Sequence, residues 1–341
     1  MHKFVRNLIT EWRRLQLPAA DETVIVAVSG GADSLSLLLA IDHLKELKKL
    51  GHRVVAAHFN HNLRGAESES DEEFVRAITS ERGIELAVGR GNVSVSGNLE
   101  QNAREARYDF LTHTATNLNA FAILTGHTVN DQAETFLLNL IRGSGPDGLG
   151  GMKAVRPLEK KQSDGGSEAS PLLPFSSRFL IRPLLGWAKR TDTEDFCQSL
   201  DVQYRYDTMN DDTAFKRVRI RKILLPLLED MNPKIVETLA NTANLLQDVS
   251  NGRDKRNRMG SKGELVLAEI KMLEQAELFE TLRSWLGEHR GTLRRLELKH
   301  IKAIERLIFS EKSGRAAELP GGSKVIKSKG LLVYDENKVE N

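Results

Sequence analysis

The chain has 341 residues, enough for two domains of ordinary size and for a core that needs neither disulfide nor structural metal. Its single cysteine, Cys197, excludes an intramolecular disulfide or a Cys-x-x-Cys site within the chain and fits a reducing cytoplasm. The net charge of +2 is divided unevenly: 25 Lys+Arg face 18 Asp+Glu from Lys216 onward, against 24 and 29 before it. That asymmetry is compatible with nucleic-acid contact by the C-terminal half, or with scattered solvated charge.

In chain order, Lys3–Leu15 reads as a short amphipathic helix, and Met1–Leu17 lacks the apolar core of a signal peptide. Thr23–Val28 is a continuous apolar run of strand length, followed by Ser29-Gly30-Gly31-Ala32-Asp33-Ser34 and an apolar helix from Leu35 to Leu50. The alternation repeats: strands at Arg53–Phe59, Ile84–Val88 and Ala120–Thr125 precede helices at Glu67–Arg82, Leu99–Asn117 and Asp131–Arg142. Buried strands alternating with helices predict an α/β fold, a parallel sheet with helices on both faces. Residues 159–170 are polar and Gly/Ser-rich and read as a surface loop. A strand at Phe179–Leu185 and a helix around Lys189–Leu200 complete a first domain, residues 1–215. Residues 216–341 are mainly helical, with apolar spacing at Lys234–Val249, Leu273–Trp285 and Leu296–Phe309 and a two-stranded hairpin over Leu319–Tyr334. No run approaches ~18 apolar residues, so no membrane partner is expected.

The Ser29–Ser34 turn joins a buried strand to a helix, where open α/β sheets bind ligands. Two glycines let the backbone approach an anion, and the helix amino terminus supplies free N–H donors. Taken alone, the glycine pair is equally a tight strand–helix turn. It lacks the Gly-Lys-Ser/Thr ending of a Walker loop and the GxGxxG of dinucleotide folds.

In this setting Ser-Gly-Gly-x-Asp-Ser resembles the pyrophosphate-binding loop of the PP-loop ATPases, an adenine nucleotide alpha-hydrolase-like superfamily that splits ATP between its alpha and beta phosphates. Further segments are similar to its tRNA(Ile)-lysidine synthetase branch: His58-Phe-Asn-His61-Asn-Leu-Arg64, Ala103-Arg104-Glu-Ala-Arg107-Tyr108, His127-Thr-Val-Asn-Asp131-Gln-Ala-Glu134-Thr135, Ile181-Arg182-Pro183, and Arg217-Val-Arg219-Ile-Arg221. The likeness covers about residues 20–230. Two departures stand out, Asn130 where the family often has a second Asp and Val218 where it has Asn.

The resemblance implies adenylation of the 2-carbonyl oxygen of the wobble cytidine in tRNA(Ile) with a CAU anticodon, then displacement of AMP by free L-lysine. It makes Ser29, Gly30, Gly31, Ala32, Asp33 and Ser34 the ATP loop, with Asp33 as holder of Mg2+. Asp131 and Glu134, three apart at a helix start and so on one face, are expected to bind the lysine ammonium and take its proton; without the resemblance they are ordinary helix-start charges. Arg107 is expected to face the lysine carboxylate or a phosphate, and His127 to position phosphate, though a lone helix arginine is more often solvated. The tRNA-contacting set is Arg64, Arg182, Arg217, Arg219, Arg221, Lys324, Lys327 and Lys329, the alternating arginines being spread around a helix. Residues 1–215 are then the ATP-binding catalytic domain, and 216–341 the tRNA-binding domain. A homodimer is compatible with all of this. Competing readings are a tRNA thiolase, which usually needs more cysteine than Cys197, a small-molecule synthetase such as those of GMP or NAD, and a non-catalytic RNA-binding module.

Overall fold

The structure, a computed structural model, describes every residue except 64, 92–98, 159–177, 207–210, 255–263, 294, 311–313 and 337–341. The chain folds as two compact units, Met1–Thr135 with Met152–Asn241, and Phe136–Gly151 with Thr242–Asn341.

The first unit opens with α1 (Lys3–Arg14), β1 (Ala20–Ala27), α2 (Ala32–Glu46), β2 (Gly51–Asn60), α3 (Ala66–Glu81), β3 (Glu85–Arg90), α4 (Leu99–Asn117), β4 (Ala122–Leu124) and the start of α5 (Val129–Ile141). After the one-turn α6 (Pro146–Leu149) of the second unit come β5 (Val155–Pro157), β6 (Phe179–Ile181) and α7 (Arg190–Ser199). A basic stretch then runs from α8 (Lys216–Arg219) through a π-helical turn, Ile220–Leu224, into α9 (Leu225–Met231) and α10 (Ile235–Asp254).

The strands form one sheet in the order β3-β2-β1-β4-β6-β5, parallel throughout except for β5, which pairs antiparallel to β6. The apolar run of β1 is apolar because both its faces are covered. Val24 and Val26 pack with Phe4, Leu8, Leu38 and Phe196 of α1, α2 and α7, while Ile25 packs with Val55, Ile123, Leu111 and Ala115, the last two from α4. The alternation that predicts an α/β sheet therefore corresponds to what forms. Strand order reverses at β1, with β2 on one side and β4 on the other, so a crevice opens beyond their carboxyl ends.

In the second unit, β7 (Leu265–Val266), α11 (Leu267–Ile270), α12 (Gln275–Arg290), α13 (Leu298–Phe309), β8 (Ala316–Glu318), β9 (Lys324–Ser328) and β10 (Leu331–Asp335) follow one another. The hairpin expected over Leu319–Tyr334 is β9–β10, turned at Lys329-Gly330, both with positive φ as a two-residue hairpin loop requires. It is not a lone hairpin, because β7 and β8 extend it to a four-stranded antiparallel sheet, β7-β10-β9-β8. Leu282, Trp285 and Leu286 of α12 and Ile301, Ile304 and Ile308 of α13 join Val325 and Leu332 in its core.

Candidate functional site

Ser29–Ser34 sits at the crevice. Gly30 has φ +91°, a conformation that strains any side chain, and Gly31 is the extended cap of α2. The Ser34 hydroxyl accepts from the Ser29 N–H (3.0 Å) and donates to the Gly31 carbonyl (3.1 Å), which staples the turn from inside. The first-turn N–H groups of α2 thus face the crevice without intrahelical partners, an anion-binding arrangement. The turn after β4 closes tightly on this loop: a Cβ on Gly126 would lie 2.4 Å from the Asp33 carbonyl oxygen and 2.9 Å from the Ser34 nitrogen. Glycine is required there by backbone-to-backbone approach.

A cavity of about 730 Å³, a size suited to a nucleotide, is lined by this loop, by Arg104 and Arg107 of α4, and by Asp131, Arg190 and Arg217 among others. At the start of α5, Asp131 accepts from the Thr128 N–H (2.8 Å) and hydroxyl (3.0 Å), a helix-start role, and also meets Arg217 Nη2 at 3.1 Å. Glu134, fully buried, accepts from Arg217 Nε (2.8 Å), Arg221 Nε (2.7 Å) and Nη2 (3.1 Å), and Arg190 Nη2 (3.3 Å). The i,i+3 spacing does put both carboxylates on one side, yet only Asp131 lines the cavity, with Glu134 behind it holding the arginines.

The charges tune one another. Burial, then the negative charge of Asp131, pushes the Asp33 carboxyl up to about 6, against the bond from Thr193 Oγ1 and the guanidinium of Arg190 at 3.8 Å. Burial also works to raise Asp131 and Glu134, but the arginines outweigh it and both stay below the ordinary carboxylate range. Burial drives His127 down to about 3, with Arg182, Arg107 and Arg217 adding to it, so its imidazole is neutral near pH 7. Its Nδ1 lies 2.8 Å from the Thr125 hydroxyl, so His127 can meet a phosphate as a hydrogen-bonding group but not as a cation. Burial also lowers the Arg107 guanidinium, which stands 5.5 Å from the Tyr108 ring centre.

The proposed RNA-facing residues divide. Arg219 and Lys329 are exposed, and Lys324 is half-buried and paired with Asp335 at 3.2 Å. Arg217 and Arg221 are not spread over the surface: they turn inward to Glu134 along the edge of the cavity. Arg182 is 3% exposed and donates to the Lys153 carbonyl (2.6 Å), and Lys327 is 8% exposed, its Nζ donating to the carbonyls of Ile308 (3.0 Å) and Ser310. Both are internal side chains, inaccessible to a phosphate backbone. Arg64 and the 159–170 segment lie outside the described residues. Cys197 is buried, 3.7 Å from the Ala32 carbonyl, and burial pushes its thiol up to about 12, so it is no nucleophile.

The PP-loop domain family matches residues 4–228. The tRNA(Ile)-lysidine synthase of Salinispora tropica is 33% identical over 317 residues, 91% of this chain and 89% of that protein. The chain belongs to the tRNA(Ile)-lysidine synthase family. The lysidine synthase of Dehalococcoides mccartyi is 32% identical over 319 residues, 89% of this chain but 64% of its own length, so the chain spans just under two thirds of that longer relative. The solved U34-tRNA thiolase of Methanococcus maripaludis, at 17% identity, covers 72% of this chain and 79% of its own with a TM-score of 0.55, a likeness of fold.

In this member of the lysidine synthase family, the site holds residues that the motifs did not single out. Arg190, first residue of α7, stands within 4 Å of Asp33, Asp131 and Glu134 at once, and Thr193 one turn on donates to Asp33. The i,i+3 spacing puts the pair on one face of α7, but their partners come from distant segments. His58 is buried and shares a hydrogen bond with the Val28 carbonyl (2.9 Å), which ties β2 to the root of the loop. Asn60 donates to the Ser68 carbonyl (3.1 Å) and to buried Glu72 (3.0 Å), fixing the turn that carries His61.

Proposed function

We propose that the chain spends ATP to join free L-lysine to carbon 2 of the wobble cytidine of tRNA(Ile) with a CAU anticodon. The carbonyl oxygen at carbon 2 attacks the alpha phosphate and diphosphate leaves; the lysine amine then attacks carbon 2 and AMP leaves. The observation that carries this reading is the Ser29–Ser34 turn, open at the α2 amino terminus and sharing one cavity with Asp131 and Arg107. The name of the relatives, tRNA(Ile)-lysidine synthase, supports tRNA(Ile) as the RNA and lysidine as the product.

The α2 N–H groups hold the diphosphate as its charge develops. Asp33 suits Mg2+, because its carboxylate pays for burial and for the nearby charge of Asp131, a burden that a divalent cation relieves. Bound there, the ion would neutralise charge on the leaving diphosphate. Asp131 stays ionised and meets the lysine ammonium, while Arg190, Arg217 and Arg221 weaken that ammonium's hold on its proton. Arg107, with its neighbour Arg104, faces the carboxylate of lysine or a phosphate. Arg219 and Lys329 meet the tRNA backbone, the rest of the C-terminal half positioning them.

Incubation with ATP, radiolabelled lysine and bulk bacterial tRNA tests the reading. Lysine should enter RNA only with ATP, with one AMP released per lysine. AMP release that needs no RNA would move the assignment to a small-molecule synthetase.

A further inference from the structure

The wall of the cavity is buried or half-buried except at a few side chains. Setting aside Ser29 of the ATP loop, its exposed lining residues among those described are Arg104, Tyr204, Arg205, Tyr206 and Lys222. Among the described residues every one is basic or aromatic, and the acidic lining residues Asp33, Asp71, Asp131 and Glu194 are all less exposed than these. A mononucleotide can be contained within the cavity, whereas a polymer must cross this rim to present one base inside.

Tyr206 is 61% exposed and Tyr204 38%, so both present ring surface to solvent. They are not loose. The Tyr206 hydroxyl donates to Asp211 Oδ1 at 2.7 Å, and Lys222 Nζ pairs with the same oxygen. Between the tyrosines, Arg205 is anchored at its backbone and its side chain. Its N–H donates to the Gly30 carbonyl (2.9 Å), its Nη2 donates to the Ser70 hydroxyl (3.0 Å), and its guanidinium lies 5.0 Å over the Phe74 ring. The segment is thereby tied to the ATP loop and to α3, with the Tyr206 ring held toward solvent and Tyr204 exposed beside it. A ring fixed in place loses little freedom when a base stacks on it, and every base offers a face to stack.

Resting on the function proposed above, we infer that Tyr206, flanked by Tyr204, is a stacking platform for the nucleotide beside the target cytidine. The base is splayed from the single-stranded loop as the cytidine enters the cavity. Arg104, Arg205 and Lys222 bring cationic side chains to the rim within reach of its phosphates, although Lys222 is already paired with Asp211 and Arg205 lies 4.0 Å from Asp71.

The test uses the full chain and a 17-nucleotide anticodon stem-loop, with 2-aminopurine replacing the adenosine after the cytidine of the CAU anticodon. Wild type should quench 2-aminopurine fluorescence on binding. Tyr206→Ala should abolish most of the quench and raise the Kd about 5- to 150-fold, the range for losing one stacked base. Tyr206→Trp should keep both quench and affinity. The KM for ATP should move less than twofold in either variant. If Tyr206→Ala binds and quenches like wild type, the platform is refuted. If its KM for ATP rises in step with its Kd, the ring serves adenine and the inference is likewise overturned. Failure of the wild-type chain to bind the stem-loop would instead fault the reading of function on which this rests.

Discussion

Replacing Asp33 by asparagine removes a charge from a position that disfavours it. In the unfolded chain the carboxyl titrates near 3.8, and in the folded protein burial and Asp131 push it up to about 6. The folded state therefore holds its proton more tightly, so stability falls as pH rises from about 4 to about 6 and stays lower above that. At 1.36 kcal/mol per pKa unit the cost reaches about 3 kcal/mol, an upper limit because the side chain keeps 27% of its surface in solvent. Asparagine is neutral at every pH and keeps an oxygen for Thr193. Asp33→Asn should thus raise the melting temperature at pH 7.5 by roughly 3–10 °C in a unit of this size. The gain should shrink steadily as the melts are repeated toward pH 5. ATP-dependent turnover should fall at least a hundredfold in the same protein, a loss typical of removing transition-state electrostatics. A melting temperature unchanged or lowered at pH 7.5, or a gain independent of pH, would refute the reasoning about this carboxylate.

Glu134→Gln leaves Arg190, Arg217 and Arg221 around a neutral group and should destabilise the first unit by about 3 kcal/mol, read by urea unfolding. Asp131→Asn, on the cavity wall, should raise the KM for lysine while ATP-dependent adenylation of tRNA persists; equal loss of both would place Asp131 in the ATP half-reaction. Gly126→Ala forces a methyl into the Asp33 backbone and should cost about 1–3 kcal/mol together with a raised KM for ATP; normal ATP kinetics would show that the two turns separate freely. Lys327→Met should destabilise the second unit by about 1.5–3 kcal/mol through lost carbonyl bonds without changing RNA affinity. Lys329→Glu should do the reverse, weakening RNA binding more at low salt than at high salt.

Much of the first unit was legible because continuous apolar runs such as Val24–Val26 admit few arrangements besides a sheet covered on both faces. The shared face of Asp131 and Glu134 was legible from their spacing, whereas the loop, by itself equally a tight strand–helix turn, was legible through its resemblance to the PP-loop. What spacing could not supply was partnership across the chain. Arg190 follows Glu134 by more than fifty residues, and nothing local says that its charge is spent on that carboxylate. The π-helical turn at Ile220–Leu224 and the two- and three-residue strands β7 and β8 are too short to leave a periodic trace. Lys327 was readable in principle, since it lies two residues from buried Val325 in the same strand and so on the same face. A charge on the inner side of a strand needs a partner, and the helix-end carbonyls of α13 are that partner.

The division into units has a practical edge. The chain leaves the first unit within α5, after Thr135, returns at Met152, and leaves again within α10, after Asn241. No single cut in the polypeptide therefore releases either unit whole. A fragment ending near Asn241 would carry residues 136–151 with their native neighbours missing, and a fragment starting at Thr242 would lack them. A stand-alone first unit has to be made by splicing Thr135 to Met152 as well as by truncation, and a protease that nicks only one of the three crossings should leave both units attached.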